Sequence, residues 1–219
     1  MTGRILFGRR DQALSSFAPT LGRLCDAPGV VGAALVDANG EAVDYAGRIP
    51  AFDIRVAAAE WRIILGKLER SGLAPWQGTS QLMLRGVHKS FGAVLLPEGY
   101  ALVVQLLPHC FRISRRALCE AVREICLDAG MEVPPALRAH WTRVEVDESP
   151  PPQRRPKAVW VDGRWNPIEV LGRCVDSELM PNEIGYRARL ANGAEVTLVR
   201  EPLAAWFADS GLADSGAAR

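Results

Sequence analysis

Lysine is almost missing from this chain: only Lys67, Lys89 and Lys157 contribute to its 26 basic residues. The arginines that replace it are scattered, which reads as the codon bias of a GC-rich genome. Net charge is missing too, since 25 acidic residues leave a formal +1 over 219 residues. That excludes a global field able to draw in nucleic acid or an anionic membrane. Histidine is scarce (His88, His109, His140), and the five cysteines Cys25, Cys110, Cys119, Cys126 and Cys174 contain no CxxC pair. A zinc-binding spacing is therefore excluded, and an odd set of thiols suits a reducing cytosol. No apolar run approaches the roughly 20 residues of a membrane span. The first ten residues carry charge but lack the apolar stretch of a signal peptide. The expectation is a soluble cytoplasmic protein with no metal, no cofactor, no nucleic acid and no membrane partner.

Catalytic signatures are absent as well. The chain has no phosphate loop, no GxSxG elbow, no HExxH and no GxGxxG after a strand. His109 and Cys110 are adjacent, but neighbours on an extended segment point to opposite sides and cannot readily form a dyad. A non-enzymatic protein is expected.

What is present is ordered patterning. Ala18 to Ala27 carries Leu21 and Leu24 on one helical face, and Pro28-Gly29 stops it. Val30 to Val36 reads as a buried strand, joined through Asn39-Gly40 to a partner strand over Glu41 to Tyr45. Phe52 to Arg70 predicts a helix, with Ile54, Ala57, Ala58, Trp61, Ile64, Leu65 and Leu68 on one wide apolar stripe. Three strands follow, Thr79 to Arg85, Ser90 to Leu96 and Tyr100 to Leu107, with connections short enough to make them antiparallel neighbours. Ser114 is placed to cap a last helix through Asp128.

Residues 133–157 change character. They hold Val133-Pro134-Pro135, an acidic stretch from Glu145 to Glu148, and Ser149-Pro150-Pro151-Pro152. They read as a stiff, solvated linker between a domain over 1–132 and a second over 158–208. The linker divides the charge mildly: 17 basic and 13 acidic residues stand up to Val144, and 9 basic and 12 acidic after it, a balance of −3. The second domain shows two hairpins, Ala158 to Leu171 and Gly185 to Arg200. So short an all-β segment must curl into a small barrel to bury a core. The tail over 209–219 is small, polar and expected to be disordered.

The N-terminal order of helix, hairpin, helix, three-stranded meander and helix resembles the roadblock (dynein light-chain) family over about residues 12–130. The run from Leu21 to Asp37 through Pro28-Gly29, the Ala38-Asn39-Gly40 turn, the Ala-rich Val56 to Glu60 and the closing Gly99 to Val104 strand carry the likeness. A proline in the first helix and the long C-terminal extension depart from it and leave the subfamily open. The resemblance implies an α+β fold: a five-stranded antiparallel sheet with helices on both faces. It also implies a homodimer formed through the central helix and third strand, and service to a Ras-like small GTPase, as bacterial members often provide.

Candidate residues follow from both lines. Trp61, Ile64, Leu65 and Leu68 offer more apolar surface than one sheet face is expected to absorb. Gln81 and Met83 lie on a strand with little to protect an edge. Together these six are the expected dimer contact. Arg112, Arg115 and Arg116, with Arg123, cluster at the start of the last helix and are candidates for partner binding, against the plainer reading of a solvated face. In the barrel, alternation places Trp160 in the core and Trp165 outside, as a candidate contact for a further protein. Tyr186, Trp206 and Phe207 are expected to fill the core of so small a domain. The expected function is a homodimeric GTPase adaptor or regulator. The alternatives are a structural scaffold of a cytoskeletal or polarity complex that senses no nucleotide, and a small-molecule sensor, for which no convergent polar cluster is visible.

Overall fold

The computed structural model describes residues 13–71, 81–108, 110, 113–134, 141–161, 163–174, 179, 182–202 and 205–209. The chain divides into two compact units, Met1–Arg138 and Ala139–Arg219.

The first unit runs α1 (Ala18–Cys25), β1 (Val30–Val36), β2 (Ala42–Gly47), α2 (Ala51–Arg70), β3 (Gln81–Arg85), β4 (Ser90–Leu95), β5 (Ala101–Leu106) and α3 (Arg115–Asp128). Its five strands form one antiparallel sheet in the order β2-β1-β5-β4-β3. Strand alternation sorts the side chains onto two faces. Leu35, Leu102, Val104 and Leu106 pack with Leu21 and Leu24 of α1 and Leu118, Val122 and Ile125 of α3. Ala34, Val36, Ala101 and Val103 face the other way, against Ile54, Ala58, Trp61 and Leu65 of α2. The α+β arrangement with helices on both faces is thus the one expected.

Local chemistry fixes the elements. The Ser114 hydroxyl accepts from the Ala117 N–H at 3.1 Å, the predicted cap. Gly47 ends β2 at φ +141°, where a Cβ would stand 2.5 Å from the Val31 carbonyl oxygen, so only glycine lets the strands approach. Asp44, fully buried on β2, accepts from the Ser15 N–H at 3.0 Å, from the Ser15 hydroxyl and from the Tyr45 N–H at 2.7 Å. It thereby ties the chain before α1 to the sheet. Glu124 of α3 accepts from the Thr20 hydroxyl at 2.8 Å and from the Arg23 guanidinium, joining the two helices of that face.

The second unit runs β6 (Trp141–Val144), β7 (Val146–Glu148), β8 (Pro156–Val161), β9 (Arg164–Cys174), β10 (Ile184–Leu190), β11 (Glu195–Arg200) and β12 (Trp206–Asp209). The sheet order is β6-β12-β11-β10-β9-β8-β7. Its two ends are consecutive pieces of one segment: β6 pairs with β12, β7 pairs with β8, and the Trp160 N–H donates to the Glu145 carbonyl between them. The sheet therefore curls back onto residues 141–148. This differs from the linker expected over 133–157, because residues 141–148 and the start of β8 at Pro156 belong to the barrel wall. The reason is visible in the alternation: Val144 and Val146 pack on the core while Glu145 and Asp147 point out. The strand β12 likewise reaches Asp209, one residue into the expected tail, whose remainder lies outside the described residues.

Candidate docking surfaces

Helix α2 has two apolar stripes. Ile54, Ala58, Trp61 and Leu65 recur at steps of four, three and four and meet the sheet. Phe52, Val56, Ala59 and Ile63 recur at the same steps on the opposite side, where Phe52 is 74%, Val56 40% and Ile63 57% exposed. A helix can bury only one such stripe on its own sheet. Trp61 and Leu65, expected at a dimer contact, are in the monomer core: they are 4% and 0% exposed. Removing a buried leucine such as Leu65 costs about 2–5 kcal/mol, so an interface cannot recruit it from there.

Ile64 and Leu68 differ. Helix α2 lies over β2, β1 and β5, and the Trp61 ring reaches Phe91 of β4 at 5.8 Å between centroids. Ile64 and Leu68 follow Trp61 by three and seven residues and share its side of the helix. That flank is turned toward β4 and β3. Ile64 is exposed and Leu68 half-buried there. Beyond them, on the same sheet face, Leu82 is half-buried and Leu84 is 52% exposed. Strand β3 is bonded to β4 alone, so its other edge is open among the described residues. Gln81 is exposed on that edge strand, whereas Met83 packs from the opposite sheet face against the α1/α3 core.

The arginines at the start of α3 do not form one patch. Arg115 is exposed, Arg123 is half-buried, and Arg116 is only 5% exposed. Arg116 precedes the core residues Cys119 and Cys126 by three and ten positions and shares their face. It is therefore withdrawn as a partner contact. Arg112 and His109 lie outside the described residues.

In the barrel, Tyr186, Trp206 and Phe207 are buried as expected, with the Tyr186 and Trp206 rings 6.0 Å apart. Trp160, expected in the core, is 40% exposed, and Trp165 is 47% exposed. The core side of β8 is taken by fully buried Val159, which turns its neighbour Trp160 outward. The two tryptophans are cross-strand partners on the β8–β9 hairpin, with centroids 5.3 Å apart and planes at 69°. The exposure of Trp165 is the one expected, whereas its pairing with Trp160 leaves no signal in the position of either residue alone.

Three of the five thiols, Cys25, Cys119 and Cys126, are buried. Cys25 is buried with its Sγ 3.5 Å from the Ala46 carbonyl oxygen, and burial pushes its pKa up to about 12. Burial also raises Cys126. Among the described residues no group of three or more His, Cys, Asp or Glu stands together as a metal site. No helix of the described residues is long and apolar enough to cross a membrane.

Element order and sheet topology make the N-terminal unit roadblock-like in fold. Among solved structures the chain is similar to Myxococcus xanthus MglB, at 19% identity and a TM-score of 0.44, over 54% of this chain and 98% of that one. It is also similar to a Roadblock/LC7 domain from Streptomyces avermitilis, at 13% identity and a TM-score of 0.43, over 55% of this chain and 100% of that one. No family model matches the sequence, and no curated protein matches it.

Proposed function

We propose that this chain is a non-enzymatic, cytoplasmic, homodimeric adaptor or regulator of a Ras-like small GTPase, with the barrel as a second protein-binding module. The apolar flank of α2 at Ile64 and Leu68, turned toward a β3 edge that is open among the described residues, is the observation that supports it most. In this reading β3 pairs with its copy across a twofold, and Ile64, Leu68, Leu82 and Leu84 close over the uncovered half of the sheet. Phe52, Val56 and Ile63 then stand on the outward side of two neighbouring helices, an apolar platform for the GTPase. No bond is made or broken by the platform. It acts by holding one switch conformation more tightly than the other and shifting the population toward it.

The test is the mass of the purified chain in solution, alone and with Ras-like GTPases of the same genome loaded with GTP analogue or GDP. Preference for one nucleotide state supports a regulator. Equal binding of both states favours the scaffold alternative instead. A monomer indifferent to every GTPase overturns the reading.

A further inference from the structure

The geometry points to the Trp160–Trp165 hairpin as a docking site for a short, extended peptide in which proline stands beside acidic residues. This deepens the barrel's proposed role as a protein-binding module and does not depend on the GTPase reading. Two indole planes at 69° with centroids 5.3 Å apart form a notch with two aromatic walls. Both rings are 40–47% exposed although the same domain buries Tyr186, Trp206 and Phe207. The surface beside the notch is apolar, because Ala158 pairs with exposed Pro167 two residues along each strand, on the same face.

Size selects the occupant first. A tryptophan carries about 150–250 Å² of contact surface, so the two exposed portions present about 200 Å². A stable globular interface needs about 800 Å² from each partner. A peptide of a few residues fits the smaller area, and proline rings dock on aromatic walls without losing further backbone freedom.

Charge selects next. Lys157, three residues before Trp160, and Arg164, directly before Trp165, are exposed and make no ion pair among the described residues. On the neighbouring strands Glu169 is engaged by Arg189 at 3.5 Å and Glu148 of β7 by Arg200 and Arg154, which leaves exposed Asp147 as the acidic residue of β7 with no ion pair among the described residues. Two exposed, unpaired cations on this hairpin disfavour a methylated lysine, which aromatic cages otherwise bind. They favour acidic residues flanking the proline. The balance of −3 over the residues after Val144 disfavours a nucleic-acid strand, whose phosphates need a basic track.

The experiment uses the full chain and three fluorescein-labelled decapeptides with a central Pro-Pro-x-Pro and flanks of glutamate, serine or lysine. A trimethyllysine peptide and a ten-nucleotide single-stranded DNA are added as competing probes. Fluorescence anisotropy is expected to rank glutamate over serine over lysine flanks. Trp165→Ala is expected to weaken the glutamate peptide at least tenfold, and Arg164→Glu to invert the flank preference. Because both side chains are exposed, near-ultraviolet circular dichroism from buried Trp206 and Tyr186 checks that the fold persists, with Trp160→Ala as a second variant. Tryptophan-dependent binding of the trimethyllysine peptide or of the DNA in place of the proline peptides overturns the assignment. So does failure of all three proline peptides, an outcome that leaves the dimeric platform untouched.

Discussion

Replacing Glu148 by alanine should loosen the barrel where the sheet closes on itself. Glu148 is the last residue of β7, and its carboxylate accepts from Arg200 Nε at 3.1 Å, from the Trp206 indole N–H at 3.2 Å and from Arg154 at 3.4 Å. The Arg200 side chain is 11% exposed and that of Glu148 27%, while Arg154 is 39% exposed and adds little. Breaking a fully buried ion pair from one side costs about 3–5 kcal/mol. Partial hydration of Glu148 discounts that, whereas the lost indole bond adds about 1 kcal/mol. An overall loss of about 2–3 kcal/mol follows. For a domain of this size each kcal/mol moves the midpoint by about 4–8 °C, so the barrel transition should fall by roughly 10–20 °C. Differential scanning calorimetry on the full chain separates the two units' transitions, and Glu148→Gln, which keeps one acceptor, should lose less. A shift below about 0.5 kcal/mol for Glu148→Ala would show that residues 141–148 do not close the barrel as described.

Two further outcomes follow from the first unit. Ile64→Glu combined with Leu84→Glu places charge on the exposed flank of α2 and the facing strand. Light scattering should show the proposed dimer weakened by more than tenfold in Kd while circular dichroism stays unchanged; loss of fold instead would mean these residues belong to the core. In the native state, mass spectrometry after brief iodoacetamide treatment should find Cys110 and Cys174 labelled before Cys25, Cys119 and Cys126, which are buried. The folded state keeps the Cys25 proton to about pH 12, whereas an ordinary thiol releases it near 9.0. The folded state therefore binds more protons between those values, and stability falls as pH rises through that window. Rapid labelling of Cys25 at pH 9 would contradict its burial.

Periodicity carried most of the fold, and its failures have specific causes. The N-terminal elements were legible because helical and strand periods alternate cleanly and because Asn39-Gly40 and Ser114 mark a turn and a cap. Over residues 141–148 the acidic residues and nearby prolines suggest a solvated linker, against the strands that form there. The period of two that puts Val144 and Val146 inward was present in the same letters. Counting alternation along β8 puts Trp160 in the core, and a shift of one position reverses every side chain. For α2 the apolar count was right but pooled: Trp61 and Leu65 belong to the core stripe and Ile64 to the flank. The separate stripe of Phe52, Val56 and Ile63 was overlooked, although its spacing could have shown it. Arg116 was grouped with its basic neighbours, while its phase with Cys119 and Cys126 marks a core-facing position. The Ser15–Asp44 tie joins residues 29 apart and left no local pattern to read.

Size-exclusion chromatography with light scattering decides whether the proposed dimeric platform forms. The chain mass is 23.8 kDa. A dimeric platform gives a particle of twice that mass which co-elutes with a Ras-like GTPase in one nucleotide state and releases it in the other. Phe52→Glu with Ile63→Glu should abolish co-elution but leave the dimer intact. A monomer that binds no GTPase in either state would contradict it.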